Sequence, residues 1–329
     1  CTTPAPPAPT TANNTTGGNG DGNGTATAWL AFDENRAWDW VLRQVQYENG
    51  TYRYRIPGTP ENTAVANELA AGLRAVGWTA HLQHFSDTYR CRDTPLHNVV
   101  ATLPGRTNET IILGAHYDSR PLADQDPDPA KRGQPVVGAN DGGSGVAVLL
   151  EMARVMAVKE NRFTYTIVLF DGEDGGHAGA PDAGAACSPW IVGSEYYAQN
   201  MTAEEVARTR VMILLDMVGD KNLTLRREQY SAIGIHRPFQ DLLYATAGEL
   251  GHAQVFSNES GGAITDDHRP FQKRRIPAVD LVHQDGTGTS VFPDSWHTTL
   301  DTPEHMSRES LKLVAEVVLA TLEKLERGR

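Results

Sequence analysis

The sequence predicts an α/β fold: a mostly parallel sheet with helices on both faces. Three observations predict it. Short unbroken apolar runs, "TIILGAH" at 110–116, "YTIVLF" at 165–170, "VMILLDMV" at 211–218 and "IPAVDLV" at 276–282, have the pattern of strands buried on both sides. Segments of helical periodicity stand between them. Acids and histidines gather where the runs stop, and open α/β sheets present their functional groups beyond the carboxyl ends of their strands.

The chain has 329 residues, 40% hydrophobic and 21% charged, with a formal net charge of −12. That composition supports one sizeable core and excludes disordered and fibrous classes. The acidic balance, with no basic stripe, excludes nucleic acid, whose phosphates would be repelled. No apolar run reaches the roughly 18 residues of a membrane-spanning helix. There is no internal repeat.

Residues 1–28, "CTTPAPPAPTTANNTTGGNGDGNGTATA", have almost nothing to bury and read as an extended tether, followed by a single catalytic domain over 29–329. A chain that begins with Cys before such a tether looks like a bacterial lipoprotein, whose signal peptide is cut just before a lipid-modified cysteine. The expectation is an extracytoplasmic, cell-surface location with membrane contact only through a lipid on Cys1. Export would also permit a disulfide between Cys91 and Cys187.

The domain opens with two amphipathic helices. "AWLAFDENRAWDWVLRQVQY" spaces Trp29, Leu30, Phe32, Ala37, Trp40, Val41 and Val45 on one helical face. "PENTAVANELAAGLRAVGW" starts after Thr59 with Pro60 in the first turn and stops at Gly77. Extended runs follow at "WTAHLQHF", "HNVVATL" and "TIILGAH", then a helix from about Gly143 to Met156 and the strand "YTIVLF". Later come "VMILLDMV", a helix near "FQDLLYATAGEL", the strand "IPAVDLV" and a closing helix "RESLKLVAEVVLATLEKL". "RPLADQDPDPAKRGQPVV" reads as a long loop by the site or as solvated connection.

Each strand end carries a chemical group. "GAHYDS" puts His116 and Asp118 on one side of an extended segment, either a metal ligand with its orienting carboxylate or an ordinary loop pair. Asp141 in "GANDGGSG" stands before a helix, as a ligand or as an N-cap. "FDGEDGG" gathers Asp171, Glu173 and Asp174 within four residues, and such like charges repel unless something positive sits among them. Asp216, the Asp266, Asp267 and His268 of "TDDH", and the Trp296 and His297 of "SWHT" complete the set. Zinc fits: a catalytic site takes three N or O ligands and keeps one position open. Asp141, Asp174 and His297 meet that count, two carboxylates balance the ion, and Glu173 is left free as a base. Calcium or magnesium would want more oxygens. Of the other histidines, His268 braces the acidic loop, while His177, His236, His252 and His283 have no claim as ligands.

The order "GAHYDS", "GANDGGSG", "FDGED", "LLDMVG", "DDHRPF" and "FPDSWHT" resembles the zinc-dependent glutaminyl cyclases, which group with the zinc aminopeptidases of the bacterial leucyl aminopeptidase type. The likeness runs from about residue 30 to the end and is strongest in "HYDSRP", "DDHRPF" and "WHT". It implies a three-layer α/β sandwich around a central mixed sheet. It further implies Asp141, Asp174 and His297 as zinc ligands, Glu173 as the proton-transferring acid, Asp216 and Asp266 as a hydrogen-bonded acidic pair beside it, and Trp296, Phe292 and Ile264 as the wall of a substrate pocket.

Two activities share that ligand set. A cyclase would use one zinc and turn an N-terminal glutamine of a peptide or protein into pyroglutamate. An aminopeptidase would use two, the second held by His116 and Asp216 with Asp141 bridging, and Glu173 would act on water. A binding protein without turnover is a third reading. The double acid of "TDDH" and the Trp beside His297 are more typical of cyclases. Two departures stand out: animal cyclases carry a tryptophan shortly after the paired acids, where this chain has Gly175, Gly176, His177, Ala178 and Gly179, and they have Glu at the position of Asp174.

Overall fold

The structure is a computed structural model that describes residues 31–90, 92–176, 189–286 and 291–328. The tether over 1–28, Cys91 and Cys187 with their expected disulfide, and the glycine-rich stretch from His177 lie outside the described residues.

Strands β1 (Thr79–Tyr89), β2 (Arg92–Leu103), β3 (Thr110–His116), β4 (Thr164–Phe170), β5 (Thr209–Asp216) and β8 (Ala278–Val282) form one sheet in the order β1-β2-β4-β3-β5-β8. β1 and β2 pair antiparallel, as do β2 and β4, while β4, β3, β5 and β8 run parallel, so the sheet is mixed as expected. Two short strands, β6 (Leu225–Arg227) and β7 (Phe256–Ser260), pair separately.

The unbroken apolar runs are explained by what lies on each side of them. Ile111, Leu113, Val211, Ile213 and Leu215 belong to a core shared with α1 (Glu34–Val45), α2 (Pro60–Ala75), α3 (Gly143–Met156), α6 (Arg237–Glu249) and α8 (Arg308–Glu326). The alternate residues Ile112, Met212 and Leu214 belong to a second core with Ala198 of α4 (Val192–Asn200) and Phe271 of α7 (Arg269–Lys273). Three layers result: β3, β4, β5 and β8 are covered on both faces, while exposed residues of β1 and the start of β2 meet water.

Helix ends follow local chemistry. The first helix starts at Glu34 because the Asp33 side chain accepts the Asn35 N–H; Phe32 packs into the core ahead of it. Thr59 caps α2 by accepting the Asn62 N–H, with Pro60 at the first position, and Gly77 at φ +96° ends it. Ser307 caps α8. The sequence reading passed over α4, α5 (Ala203–Arg208), α7, β6 and β7, all nine residues or shorter, too short for a period to emerge.

Helix α3 is buried around almost its whole circumference, and only glycine lets it lie so close to the sheet. A Cβ at Gly145 would stand 2.1 Å from the Leu215 carbonyl oxygen of β5. Gly145→Ala is therefore expected to destabilise the fold by about 1–3 kcal/mol, measured as a lower urea midpoint. Gly248→Ala, in α6 with open space around the new methyl, is expected to be neutral or stabilising by up to about 1 kcal/mol in the same measurement.

Candidate active site

The carboxyl ends of β3, β4, β5 and β8 meet at one rim, and each delivers part of the site. β3 ends at His116 and β5 at Asp216. Asp141 precedes α3 but does not cap it: the N-cap is Gly142, with no side-chain cap bond, so the capping alternative is ruled out. Gly142 sits at φ +68°, and a Cβ there would meet the His116 carbonyl oxygen at 2.6 Å, so its bareness lets the Asp141 loop close on His116.

Buried groups brace that loop from beneath. Asp301 accepts the N–H groups of Asn140 and Asp141 at 2.7 and 3.1 Å. Arg55, fully buried, donates to the carbonyls of Tyr117, Val137 and Gly138 at 2.6, 2.9 and 2.6 Å. Neither residue was singled out in the sequence, because each is isolated in it.

The three carboxylates of "FDGED" diverge after the turn at Gly172, where φ is +73°. Asp171 turns away, accepting from the Asn62 amide and the His97 N–H, each at 2.9 Å. Asp118 receives the backbone N–H groups of Glu173 and Asp174, both at 3.1 Å, while His116 Nδ1 lies 3.4 Å from its Oδ1. The His-x-Asp pair thus orients the following acidic pair as well as its own histidine.

Two clusters share Asp141: Asp141, Asp174 and His297 form one, and His116, Asp141 and Asp216 the other, with the possible ligand atoms of each within 4.8 Å of one another. His297 Nε2 stands 3.1 Å from Asp174 Oδ1 and 3.7 Å from Asp141 Oδ2. Tetrahedral ligands about 2.0 Å from zinc stand about 3.3 Å apart, so these spacings fit the ion. Asp141 Oδ2 and Asp174 Oδ2 are buried with no hydrogen-bond partner, as free donors would be.

His297 adopts φ +56°, a costly conformation for a non-glycine residue that its surroundings enforce. Its ring lies between two tryptophans, Trp296 at 3.6 Å and Trp190 at 5.8 Å between ring centroids, and Phe292 packs on Trp296 at 4.6 Å. Trp190 was missed in the sequence. It reaches the wall next to the glycines that follow the acidic pair: a Cβ at Gly176 would stand 1.9 Å from its ring. Trp190 thus lines the pocket beside those glycines. Ile264, Phe292 and Trp296 line the same pocket, of about 230 Å³, with Asp141, Glu173, Asp216, Asp266 and His297 at its polar side. The long segment 120–137 is solvated in its middle, where 127–130 and 132–134 are exposed, but its ends belong to the site: Arg120, Ala123, Asp126, Val136 and Val137 are buried, and Gln125 N–H donates to the His297 carbonyl at 3.2 Å.

Residues 98–322 match the profile of Peptidase family M28. The chain belongs to this family. It is similar in structure to Porphyromonas gingivalis glutaminyl cyclase, 34% identical, with 90% of this chain and 99% of that chain covered and a TM-score of 0.81. A Zn-dependent exopeptidase from Parabacteroides distasonis is also 34% identical, over 88% of this chain and 98% of that one, with a TM-score of 0.80. Among curated relatives, the Bos taurus glutaminyl-peptide cyclotransferase-like protein is 26% identical over 318 residues, 88% of this chain and 76% of the relative. The M28 relationship brings zinc with it, in keeping with the donor set.

Behind the pocket of this M28 chain lies an acidic wall. Burial, then the charges of Asp266 and Asp174, hold Glu173 well above the usual glutamate range, with His116 opposing. Burial, then Asp216 and Asp267, do the same to Asp266. Asp174 goes the other way, to about 2, because His297 and Arg120 outweigh its burial. His268 lies between Glu228 and Asp280, at 3.5 and 3.6 Å.

These directions set how the metal-free protein responds to pH. Burial pushes Asp171 and Asp267 up to about 7 and Asp301 to about 8. A carboxyl raised in the fold contributes stability that is complete below its unfolded value and is lost as pH rises through its folded value. His116, raised by three neighbouring carboxylates against its burial, acts with the same sign. His97, His236, His268 and His283, lowered by burial, act with the opposite sign, and that effect fades as pH rises past their ordinary value of about 6.5. Metal-stripped protein is thus expected to melt at progressively lower temperature from about pH 7 to about pH 8.5, followed by circular dichroism. A flat or rising profile would contradict these buried carboxyl environments.

Proposed function

We propose that this chain is a zinc-dependent glutaminyl-peptide cyclotransferase that turns the N-terminal glutamine of peptides or proteins into pyroglutamate and releases ammonia. The observation that carries the single-ion form of this reading is the spacing at His116. Its Nε2 is 2.9 Å from Asp141 Oδ1, a hydrogen-bond distance, and 3.3 Å from Asp216 Oδ1, so a protonated His116 can bridge the two carboxylates without an ion. A proton on His116 supplies positive charge between the two carboxylates, where an aminopeptidase would place its second ion.

Asp141, Asp174 and His297 are the ligands in this reading, and zinc, when bound, supplies a Lewis acid for the substrate's γ-carbonyl. Ile264, Phe292, Trp296 and Trp190 seat the glutamine side chain in a cavity of about 230 Å³, sized for one residue, with the rest of the peptide leaving through the mouth. Glu173, on the pocket wall, accepts a proton from the α-amine as its nitrogen bonds to the γ-carbonyl carbon. It returns that proton to the departing ammonia as the amide C–N bond breaks. Burial and the neighbouring acids keep the Glu173 proton affinity high, which suits a group that must both take and give it. Asp266 and Asp216 hold the acidic side of the pocket.

The Asp216 cluster also supports a second reading, a di-zinc aminopeptidase with His116 and Asp216 on the second ion and Asp141 bridging. A Gln-initiated peptide and a chromogenic leucine amide separate the two. The expected result is ammonia release with the matching mass loss, and about one zinc per chain. Rapid leucine release with two zinc ions and no cyclised product would overturn it. Glu173→Gln is expected to keep its zinc while losing turnover by roughly a hundredfold to ten-thousandfold; a wild-type rate would remove Glu173 from the mechanism.

A further inference from the structure

Between β3 and α3 lies a charged pair that the proposed chemistry does not use. Arg120 is only 2% exposed. Its Nε and Nη2 donate to the two oxygens of Asp124, both at 2.7 Å, and its Nη1 donates to Asp174 at 2.9 Å to Oδ1 and 3.3 Å to the main-chain oxygen. The guanidinium also lies over the Trp190 ring, 4.9 Å from its centroid. Asp124 Oδ1 stands 3.8 Å from His297 Nδ1, beyond hydrogen-bond reach, on the side of that ring away from Asp141 and Asp174, and Nδ1 is buried with no hydrogen-bond partner.

One planar fork thus engages two carboxylates and an aromatic face at once, which a lysine could not do. With Asp174 Oδ1 tied to Arg120, Oδ2 is left buried and free of partners. A carboxylate that accepts from the far nitrogen of a metal-binding imidazole fixes the ring and raises its basicity, and at 3.8 Å Asp124 acts on His297 through its charge rather than through a hydrogen bond.

We propose that the Arg120–Asp124 pair is a positioning unit for zinc, aiming Asp174 and His297 at the ion and holding Trp190 as the pocket wall. The inference rests on the zinc reading of the Asp141, Asp174 and His297 cluster. It also explains how an aspartate can serve where animal cyclases have a glutamate: the shorter side chain is steered from behind.

The test is the zinc dissociation constant of the full chain, measured by competition with a chromogenic chelator, for wild type, Arg120→Gln, Asp124→Asn and the double variant. Each single variant is expected to bind zinc about 10- to 100-fold more weakly, and the double variant no more weakly than the worse single, because the two act as one unit. With zinc saturating, Arg120→Lys is expected to raise KM for a Gln-initiated peptide several-fold more than it lowers kcat, since Trp190 loses its support and Glu173 does not. Asp124→Asn keeps the side-chain shape, so it carries the test should Arg120→Gln fail to fold. Zinc affinities within about twofold of wild type in the variants would overturn the inference without touching the cyclase reading. A wild-type chain that binds zinc tightly but cyclises nothing would sink that reading and leave the inference standing, and one that binds no zinc would sink both.

Discussion

Carboxylates repel one another most strongly where water is excluded, and this fold brings Asp141, Asp174, Asp216, Glu173 and Asp266 to one dry rim. The surroundings answer that repulsion residue by residue. Asp174 has Arg120 and His297, Asp141 and Asp216 have His116, and Asp118 and Asp301 accept pairs of backbone N–H groups. Among the described residues Glu173 and Asp266 have no such ion pair, and burial leaves them protonated more readily than an exposed acid. The contrast between Asp174, lowered by His297 and Arg120 against its burial, and Glu173 and Asp266, raised by burial, is the property on which the proposed chemistry depends.

The scaffold sets that division through close backbone approach. Gly142 and Gly145 let α3 press against β3 and β5, so Asp141 comes within reach of both histidine clusters. One carboxylate thus belongs to both clusters, and a glutaminyl cyclase and a Zn-dependent exopeptidase match this chain at the same 34% identity.

The parallel strands were readable because both their faces are buried, which leaves an unbroken apolar signature, and His116, Asp141, Asp174, Asp216 and His297 were readable because strand ends converge. The supporting groups were not. Arg120 and Asp124 sit in a Pro- and Asp-rich segment whose composition is that of a solvated loop, yet Arg120 is buried, and beyond its local partner Asp124 it reaches Asp174, 54 positions away. Trp190 is 16 positions from Asp174, too far for local pattern to link them. Arg55 and Asp301 are single residues whose partners are backbone carbonyls and N–H groups, which no side-chain motif records.

Asp141 and His297 are 156 positions apart in the chain, yet they meet in one ligand cluster. An ion gripped by both works as a removable cross-link that closes a very long loop, and such closures constrain the unfolded chain more the longer the loop they span. Chelation would then loosen a large part of the molecule together, so resistance to heat and to proteases would report on bound metal even in a preparation given no substrate.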